Sequence, residues 1–327
     1  MSSTQSAPKQ FRLHPRNRNR DPYDLKALTE ALPELKNFIA LNKYGTESVD
    51  FANPAAVKAL NTALLAYYYG IKNWDFPAKN LCPPVPGRAD YIHHMADLLG
   101  ASNAGKTPKG NHLTCYDIGV GASCIYPIVG VVEYNWRFVA SDIDLNSLEA
   151  ARQIIKANAS LTNKVECREQ PNKQNLFFGV IGRDEKIDIS ICNPPYHGSR
   201  EEAQKGTRRK NYNLRGKKEQ NPTQNFAGIA HELVYEGGEY HFIRNMIRES
   251  QKFEKNFFWF TTLVSKQSNL KGIYKALSKI DAVEVRTIAL NTGNKSSRVV
   301  AWTLLSQKEQ ENWRRARWSK GGGETEK

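Results

Sequence analysis

Cys115-Tyr-Asp-Ile-Gly-Val-Gly-Ala-Ser123 ends an apolar run on a glycine pair at the point where a helical pattern begins. Glycines at such a turn let the chain curl tightly and let backbone N–H groups come close to a ligand. Asp117, at the end of the run, is placed to receive a positively charged amino group. A dinucleotide fingerprint needs its third glycine at position 124, which is Cys124, so the loop fits S-adenosylmethionine better than NAD. Further on, Phe138-Val-Ala-Ser-Asp-Ile-Asp144 brings acids to the end of a second strand, about 20 residues after the glycines, where a carboxylate accepts ribose hydroxyls. Asp142 is the better placed for this and Asp144 the second. A tight turn at Gly119 and Gly121, or a helix cap at Asp142, explains each feature singly. The ordered set of strand, glycine loop, helix, strand and acid favours a cofactor held by Asp117, Gly119, Gly121, Ser123 and Asp142.

Outward from this stretch, strand-like and helix-like runs alternate. Strands are expected at Leu113–Ile118, Phe138–Ser141, Val165–Arg168, Ile187–Cys192, Phe257–Val264, Val283–Leu290 and Arg298–Leu305. Helices are expected near Ile125, at Leu145–Ala157, around Tyr240–Phe253 and around Leu270–Ile280. Such alternation predicts a parallel sheet with helices on both faces. Between the last two strands lies only Asn291–Ser297, too short for a parallel crossover, so this pair should be antiparallel. The expected fold is therefore α/β, and seven mostly parallel strands with an antiparallel last hairpin resemble the Rossmann-like plan of class I S-adenosylmethionine-dependent methyltransferases.

Residues 21–86 read as a helical N-terminal extension, with Leu25, Leu28, Leu32, Leu35 and Ile39 at helical spacing and a second run from Pro54 to Tyr69. Asn80-Leu-Cys-Pro-Pro-Val-Pro-Gly87 is too rich in proline for a helix and reads as a link, followed by a helix from near Arg88 to Gly100. The methyltransferase domain would then span 87–307. A tail over 308–327, with Trp313, Arg314, Arg315, Arg317 and Trp318, reads as a short surface helix or an RNA contact.

Asp188-Ile-Ser-Ile-Cys-Asn-Pro-Pro-Tyr196 is a short apolar strand that stops at an Asn, two prolines and an aromatic ring. An exocyclic adenine nitrogen is a poor nucleophile because its lone pair is delocalised into the ring, so acceptors around its hydrogens are needed to draw it toward tetrahedral geometry. Asn193 offers a side-chain carbonyl and Pro194 a backbone carbonyl held by a rigid ring. Pro195 completes the candidate catalytic tetrapeptide, and Tyr196 offers a face for an extruded base, worth about 1–3 kcal/mol. The bland reading is an Asn-Pro turn after a strand. On chemistry alone the nitrogen belongs either to adenine or to an amide.

The chain has 327 residues and a formal net charge of +14 with 40% hydrophobic content, the composition of a globular enzyme that meets polyanions. Residues 1–20, with Lys9, Arg12, Arg16, Arg18 and Arg20, read as a flexible basic arm suited to phosphates. His197 to Lys218 is a long basic loop, and Arg208, Arg209, Lys210 and Arg215 are its candidate nucleic-acid contacts. The bland alternative for both is a solvated charged surface. The five cysteines show no CxxC pair or metal-ligand spacing, and read as reduced, buried thiols of a cytoplasmic protein. No metal site is argued, His93 and His94 lacking ligand partners. No stretch approaches the length of a membrane span and no secretory signal is present, although an Arg-rich start also suits an organellar transit peptide.

With these residues in hand, the sequence resembles the ribosomal RNA large subunit methyltransferase F family from about Leu13 to Leu305. The resemblance rests on Leu13-His-Pro-Arg-Asn-Arg18, Pro54-Ala-Ala-Val-Lys-Ala-Leu60, Pro86-Gly-Arg-Ala-Asp-Tyr-Ile-His93, Asp117-Ile-Gly-Val-Gly-Ala-Ser-Cys-Ile-Tyr126, Asn193-Pro-Pro-Tyr196 and Asn294-Lys-Ser-Ser-Arg-Val-Val-Ala-Trp302. It implies methylation of the N6 amine of one adenine in large-subunit ribosomal RNA, naked or in an assembly intermediate; with no dimerisation stripe in the sequence, a monomer is the default expectation. It also implies that Arg88 contacts the cofactor carboxylate, Asp142 its ribose, and Asn193 to Tyr196 the adenine. The sequence is similar, too, to the eukaryotic U6 small nuclear RNA adenine methyltransferase. The competing expectations are a U6-type or DNA adenine enzyme, a protein glutamine methyltransferase, which the charge disfavours, and an RNA-binding assembly factor without catalysis, which the intact site residues disfavour.

Overall fold

The computed structural model describes residues 13–42, 44–199, 201–202, 234–292 and 295–319. The extension supplies α1 (Leu25–Ala31), a 3-10 turn, the hairpin β1 (Ile39–Leu41) and β2 (Glu47–Val49), and α2 (Pro54–Tyr69). The hairpin begins at Ile39, which the helical spacing of the leucines places in a helix; Asn42 N donates to the Thr46 carbonyl to close it. Helix α2 starts under an Asn53 cap and stops at Gly70, whose φ of +65° is left-handed. Helix α3 runs over Val85–Ala101, so it begins inside the proline-rich link. Pro86 is tolerated because the first turn of a helix has no intrahelical acceptors for its N–H groups.

The main sheet uses β3 (Thr114–Ile118), β4 (Arg137–Asp142), β5 (Val165–Glu169), β6 (Ile187–Cys192), β7 (Phe257–Val264), β8 (Glu284–Thr292) and β9 (Lys295–Thr303). Among the described residues these seven strands form one sheet in the order β5-β4-β3-β6-β7-β9-β8. Strands β3 to β7 pair in parallel, and β9 is antiparallel to both β7 and β8. The last hairpin is tighter than the polar Asn291–Ser297 suggested, since pairing continues to Thr292 opposite Lys295. Helices α4 (Ile125–Tyr134) and α5 (Leu145–Ala157) follow β3 and β4, while α6 (Gly238–Ser250) and α7 (Leu270–Ser278) flank β7. The chain moves one way from β3 and the opposite way from β6, so the order reverses between these neighbours, where open α/β sheets bind ligands beyond the strands' C-terminal ends.

The extension does not have a core of its own. One hydrophobic cluster joins Leu28, Leu35, Leu60 and Leu64 to Ile92, Leu99, Ile128, Phe138, Ile189 and Trp259. A second cluster on the other face of the sheet contains Tyr116, Phe177, Phe242, Ile247, Phe257 and Trp302.

Residues 13–20 correct the expectation of a flexible arm, because His14, Asn17 and Asn19 are buried. Their polar atoms find partners far away in sequence: His14 N donates to Asp90 Oδ1 at 2.6 Å, its Nε2 meets Asp97 Oδ2 at 2.8 Å, and Asn17 Nδ2 donates to the Pro86 carbonyl at 2.9 Å. His93 lies against this segment, stacked on His14 and bonded through Nδ1 to the Tyr134 hydroxyl. Burial, and then the nearby His14 and Arg16, hold its pKa down to about 3. The unfolded chain titrates its imidazole near 6.5 and therefore takes up a proton before the fold does. Stability from a neutral His93 is thus complete above about pH 6.5 and lost as the pH falls toward about 3. Thermal melts should fall with acidification over this window, and His93→Asn should flatten the slope; parallel curves for the two proteins would refute the assignment.

The tail closes the fold with α8 (Gln307–Trp313) and a π-helical turn over Arg314–Trp318. Rather than lying on the surface, Trp313 and Trp318 are buried and donate through Nε1 to Asp188 Oδ1 at 2.8 and 2.7 Å. Arg317 adds Nε to Oδ1 at 3.0 Å and Nη2 to Oδ2 at 2.6 Å, and Thr114 N donates to Oδ2 at 2.8 Å. A fully buried carboxylate in the central strand is tolerated because five donor contacts surround it. Removing the cation should strand that charge: Arg317→Leu is expected to cost about 3–5 kcal/mol, read as a lower denaturant midpoint with an unchanged slope.

Candidate active site

Strand β3 ends at Ile118 and the chain turns through Gly119 and Gly121 at φ of +75° and +63°. A β-carbon at either would meet nothing within 4 Å, so it is the left-handed backbone, not crowding, that calls for glycine. Gly119 N and Val120 N both donate to the Ser141 carbonyl at 2.9 Å, and Gly121 N donates to Asp142 Oδ2 at 2.9 Å. Strand β4 thereby shapes the loop that follows β3. Cys124 caps α4 at φ +52°, so the position where a dinucleotide fingerprint has its third glycine keeps a glycine-like conformation with a buried thiol. From the extension, Trp74 Nε1 donates to the Ser123 carbonyl at 2.7 Å and fixes the end of the loop.

The loop forms one side of a cavity of about 1070 Å³ whose wall includes Arg88, Gly119, Gly121, Ser123, Asp142, Asn193 and Pro195. Asp144, the second candidate for the ribose, is the N-cap of α5 and accepts from Ser147 N and Ser147 Oγ. Asp142 faces the cavity, and its Oδ1 accepts from Asp144 N at 3.0 Å. Carboxylate oxygens accept more than one hydrogen bond, so Asp142 can shape the loop and meet hydroxyls together.

Asp117 lies behind the loop, fully buried, and among the described residues neither of its carboxylate oxygens has a hydrogen-bond partner. Burial and the neighbouring Asp142 push its pKa well above the usual carboxylate range, with Arg88 opposing them. An orphaned buried acid beside an open glycine loop is the environment that a cationic ligand relieves. The residues present fit S-adenosylmethionine: Arg88 and Asp142 on the cavity wall would hold its carboxylate and ribose, and Asp117 behind the loop would meet its positive charge. That cofactor supplies an electrophilic methyl group on a sulfonium.

The tetrapeptide follows β6 at the reversal of strand order. Helix α3 positions it through two residues one turn apart. Tyr91 reaches the end of β6, its hydroxyl 2.9 Å from Thr261 Oγ1 and 3.4 Å from both the Cys192 N and O atoms. Arg88 packs over the Tyr126 ring and donates through Nη1 to its hydroxyl at 2.9 Å. With its amide assigned from these neighbours, Asn193 Oδ1 accepts from Arg88 Nη2 at 3.0 Å and Nη1 at 3.3 Å, while Nδ2 faces the Tyr196 hydroxyl. The Arg88 guanidinium on the cavity wall thus ties the Asn193 side chain to Tyr126. Pro194 is buried, and the Tyr196 ring packs against the first hydrophobic cluster instead of lying on the cavity wall.

The remaining candidates lie apart from the cavity. Arg16 donates to the Tyr134 hydroxyl, the His93 carbonyl and Asp97 Oδ1, and Arg18 pairs with Glu133 at 2.8 Å. Both sit at the far end of α4 from the glycine loop, about 15 Å along a ten-residue helix. Arg208, Arg209, Lys210 and Arg215 lie outside the described residues. Among the described residues no cluster of His, Cys, Asp or Glu suits a metal, and no helix is long and apolar enough to cross a membrane. Cys82 and Cys167 are half-buried instead of buried, yet desolvation pushes both thiols up to about 11. Sequence reading missed Tyr126, Ile143 and Gln170 on the cavity or against Arg88. The rule that ligands meet the C-terminal ends of strands would have found Gln170, which follows β5.

Strand order, glycine loop, orphaned acid and tetrapeptide together define a Rossmann-like methyltransferase that uses S-adenosylmethionine. A family model described as RNA methyltransferase matches residues 7–306, and the chain belongs to that family. Ribosomal RNA large subunit methyltransferase F of Yersinia enterocolitica is 51% identical over 308 residues, covering 94% of this chain and 92% of that protein. The protein of the same name from Cytophaga hutchinsonii is 50% identical over 307 residues, covering 94% and 95%. Among solved structures, the hMettl16 catalytic domain in complex with MAT2A 3'UTR hairpin 1 is 28% identical with a TM-score of 0.77, covering 90% of this chain and 96% of that one. The N-terminal domain of human METTL16 in complex with SAH is 26% identical with a TM-score of 0.71, covering 90% and 99%.

Proposed function

We propose that the protein methylates the N6 amine of one adenine in large-subunit ribosomal RNA. The observation that carries this reading is the Asn193 amide at the end of the central strand, sharing one cavity with the cofactor loop. The printed names of the relatives supply the RNA class. In this reading the adenine turns out of its stack, the Asn193 and Pro194 carbonyls accept from its amine, and Pro195 keeps the turn rigid. Tyr196 then turns its ring toward the base. Arg16, Arg18 and the basic residues Arg208, Arg209, Lys210 and Arg215 contact the RNA backbone, and the protein acts as a cytoplasmic monomer.

The test is to incubate the protein with labelled S-adenosylmethionine and, separately, naked large-subunit RNA, assembled subunits, a small structured RNA hairpin, DNA and a release factor. Nuclease digestion of the labelled product should yield N6-methyladenosine from ribosomal RNA. Label confined to the protein substrate would overturn the reading, and label on another base would overturn the assigned nitrogen.

A further inference from the structure

The cavity has a second limb that neither the cofactor residues nor the tetrapeptide explains. It is walled by α6 and by the segment that crosses from β5 to β6, and it carries Lys173, His241, Arg244 and Arg248. On a helix, positions 241, 244 and 248 fall on one face. The acids of the same helix are buried and taken up by backbone N–H groups. Glu239 is buried and accepts from Ser265 N and Lys266 N, and Glu249 is buried and accepts from Leu176, Phe177 and Phe178 N. Helix α6 therefore spends its negative charge on backbone N–H groups and leaves its exposed arginines on the cavity. Glu236, before the helix, is the acid on this part of the wall.

The limb is also held in shape. Asn245 Nδ2 donates to the Gln174 carbonyl at 2.7 Å while its Oδ1 accepts from Arg248 Nη2 at 2.6 Å. Together with the three bonds to Glu249, this fastens the crossing segment to α6, so the cations are presented by two fixed walls. A cavity of about 1070 Å³ lies at the top of the range for small-molecule sites, leaving space beyond one cofactor. We propose that this limb is a phosphate-binding groove for the RNA strand adjoining the target nucleotide, with Lys173, Arg244 and Arg248 on its phosphates. The inference rests on RNA being the substrate and adds the path that the strand takes.

Fluorescence anisotropy with a labelled single-stranded RNA tests it, comparing the full chain with Arg244→Gln/Arg248→Gln. Both side chains are exposed, and the cofactor-binding residues are untouched. The double variant should bind RNA about tenfold more weakly and show a salt dependence shallower by about 0.7 for each lost phosphate contact, between about 50 and 200 mM salt. Affinity for S-adenosylmethionine should be unchanged, as should RNA affinity in Lys156→Gln, on α5. Wild-type affinity and salt slope in the double variant would overturn the groove while leaving RNA as substrate. Loss of cofactor binding in the double variant would assign the limb to the cofactor instead, and failure of the wild-type protein to bind RNA would overturn the substrate reading itself.

Discussion

Asn193→Ala is expected to lower methyl-transfer turnover by about 10²–10³-fold and to leave cofactor affinity unchanged. The lone pair of the reacting amine is delocalised into the ring π system, perpendicular to the ring plane, and an acceptor poised at its hydrogen acts chiefly once positive charge develops on the nitrogen. Such a loss belongs to kcat and not to KM. Cofactor binding should survive because Arg88 keeps its anchor on the Tyr126 hydroxyl when the Asn193 carbonyl is removed. Asn193→Asp is the informative companion, since it retains an acceptor and should keep more activity than Ala. Single-turnover rates together with calorimetric titration of S-adenosylmethionine check both. Turnover at the wild-type rate in Asn193→Ala would remove the residue from the chemistry, and a matching loss of cofactor affinity would reduce its role to holding Arg88.

Much of the site was legible because its parts are local. Strand β6 is buried at every position, so it reads as the continuous apolar run of a central parallel strand, and the tetrapeptide is visible where that run stops. The glycine loop is legible for a similar reason, as a conformational requirement written in two adjacent turns. What escaped reading depends on partners distant in the chain. His14 and Asn17 looked like a solvated arm because Asp90 and Asp97, which satisfy them, lie more than 70 positions away. The tail looked superficial because Asp188, the acceptor for Trp313 and Trp318, precedes them by 125 and 130 positions. Helix α6 was readable as an amphipathic helix, but that its outer face borders the cavity follows only from the crossing segment folded against it. Polar composition predicts solvent exposure only where no distant partner can meet each polar atom.

Asp117→Asn should make the cofactor-free protein more stable and the cofactor weaker, two opposite effects of one buried charge. The carboxyl has no hydrogen-bond partner among the described residues, and its pKa is held well above the usual range by burial and by Asp142. An acid raised in the fold stabilises it fully only below its unfolded pKa, near 3.9, and loses that contribution as the pH rises toward the folded value. Asparagine fills nearly the same volume and does not titrate. The stability advantage of the variant should therefore grow with pH, by at most about 1.4 kcal/mol per unit, as measured by denaturant unfolding from mildly acidic to neutral pH. Cofactor binding reverses the balance, because a cationic ligand favours the ionised acid that the variant lacks. The melting-temperature rise produced by saturating S-adenosylmethionine should shrink in Asp117→Asn, and cofactor affinity should drop by about tenfold or more, the equivalent of one lost charge-assisted contact of about 1.5–3 kcal/mol. A pH-independent difference between the two unliganded proteins would show that Asp117 is not the titrating group, and undiminished cofactor affinity would show that its charge is not used. Were both effects seen together, the orphaned acid would be a stability cost that the fold carries for the sake of its ligand.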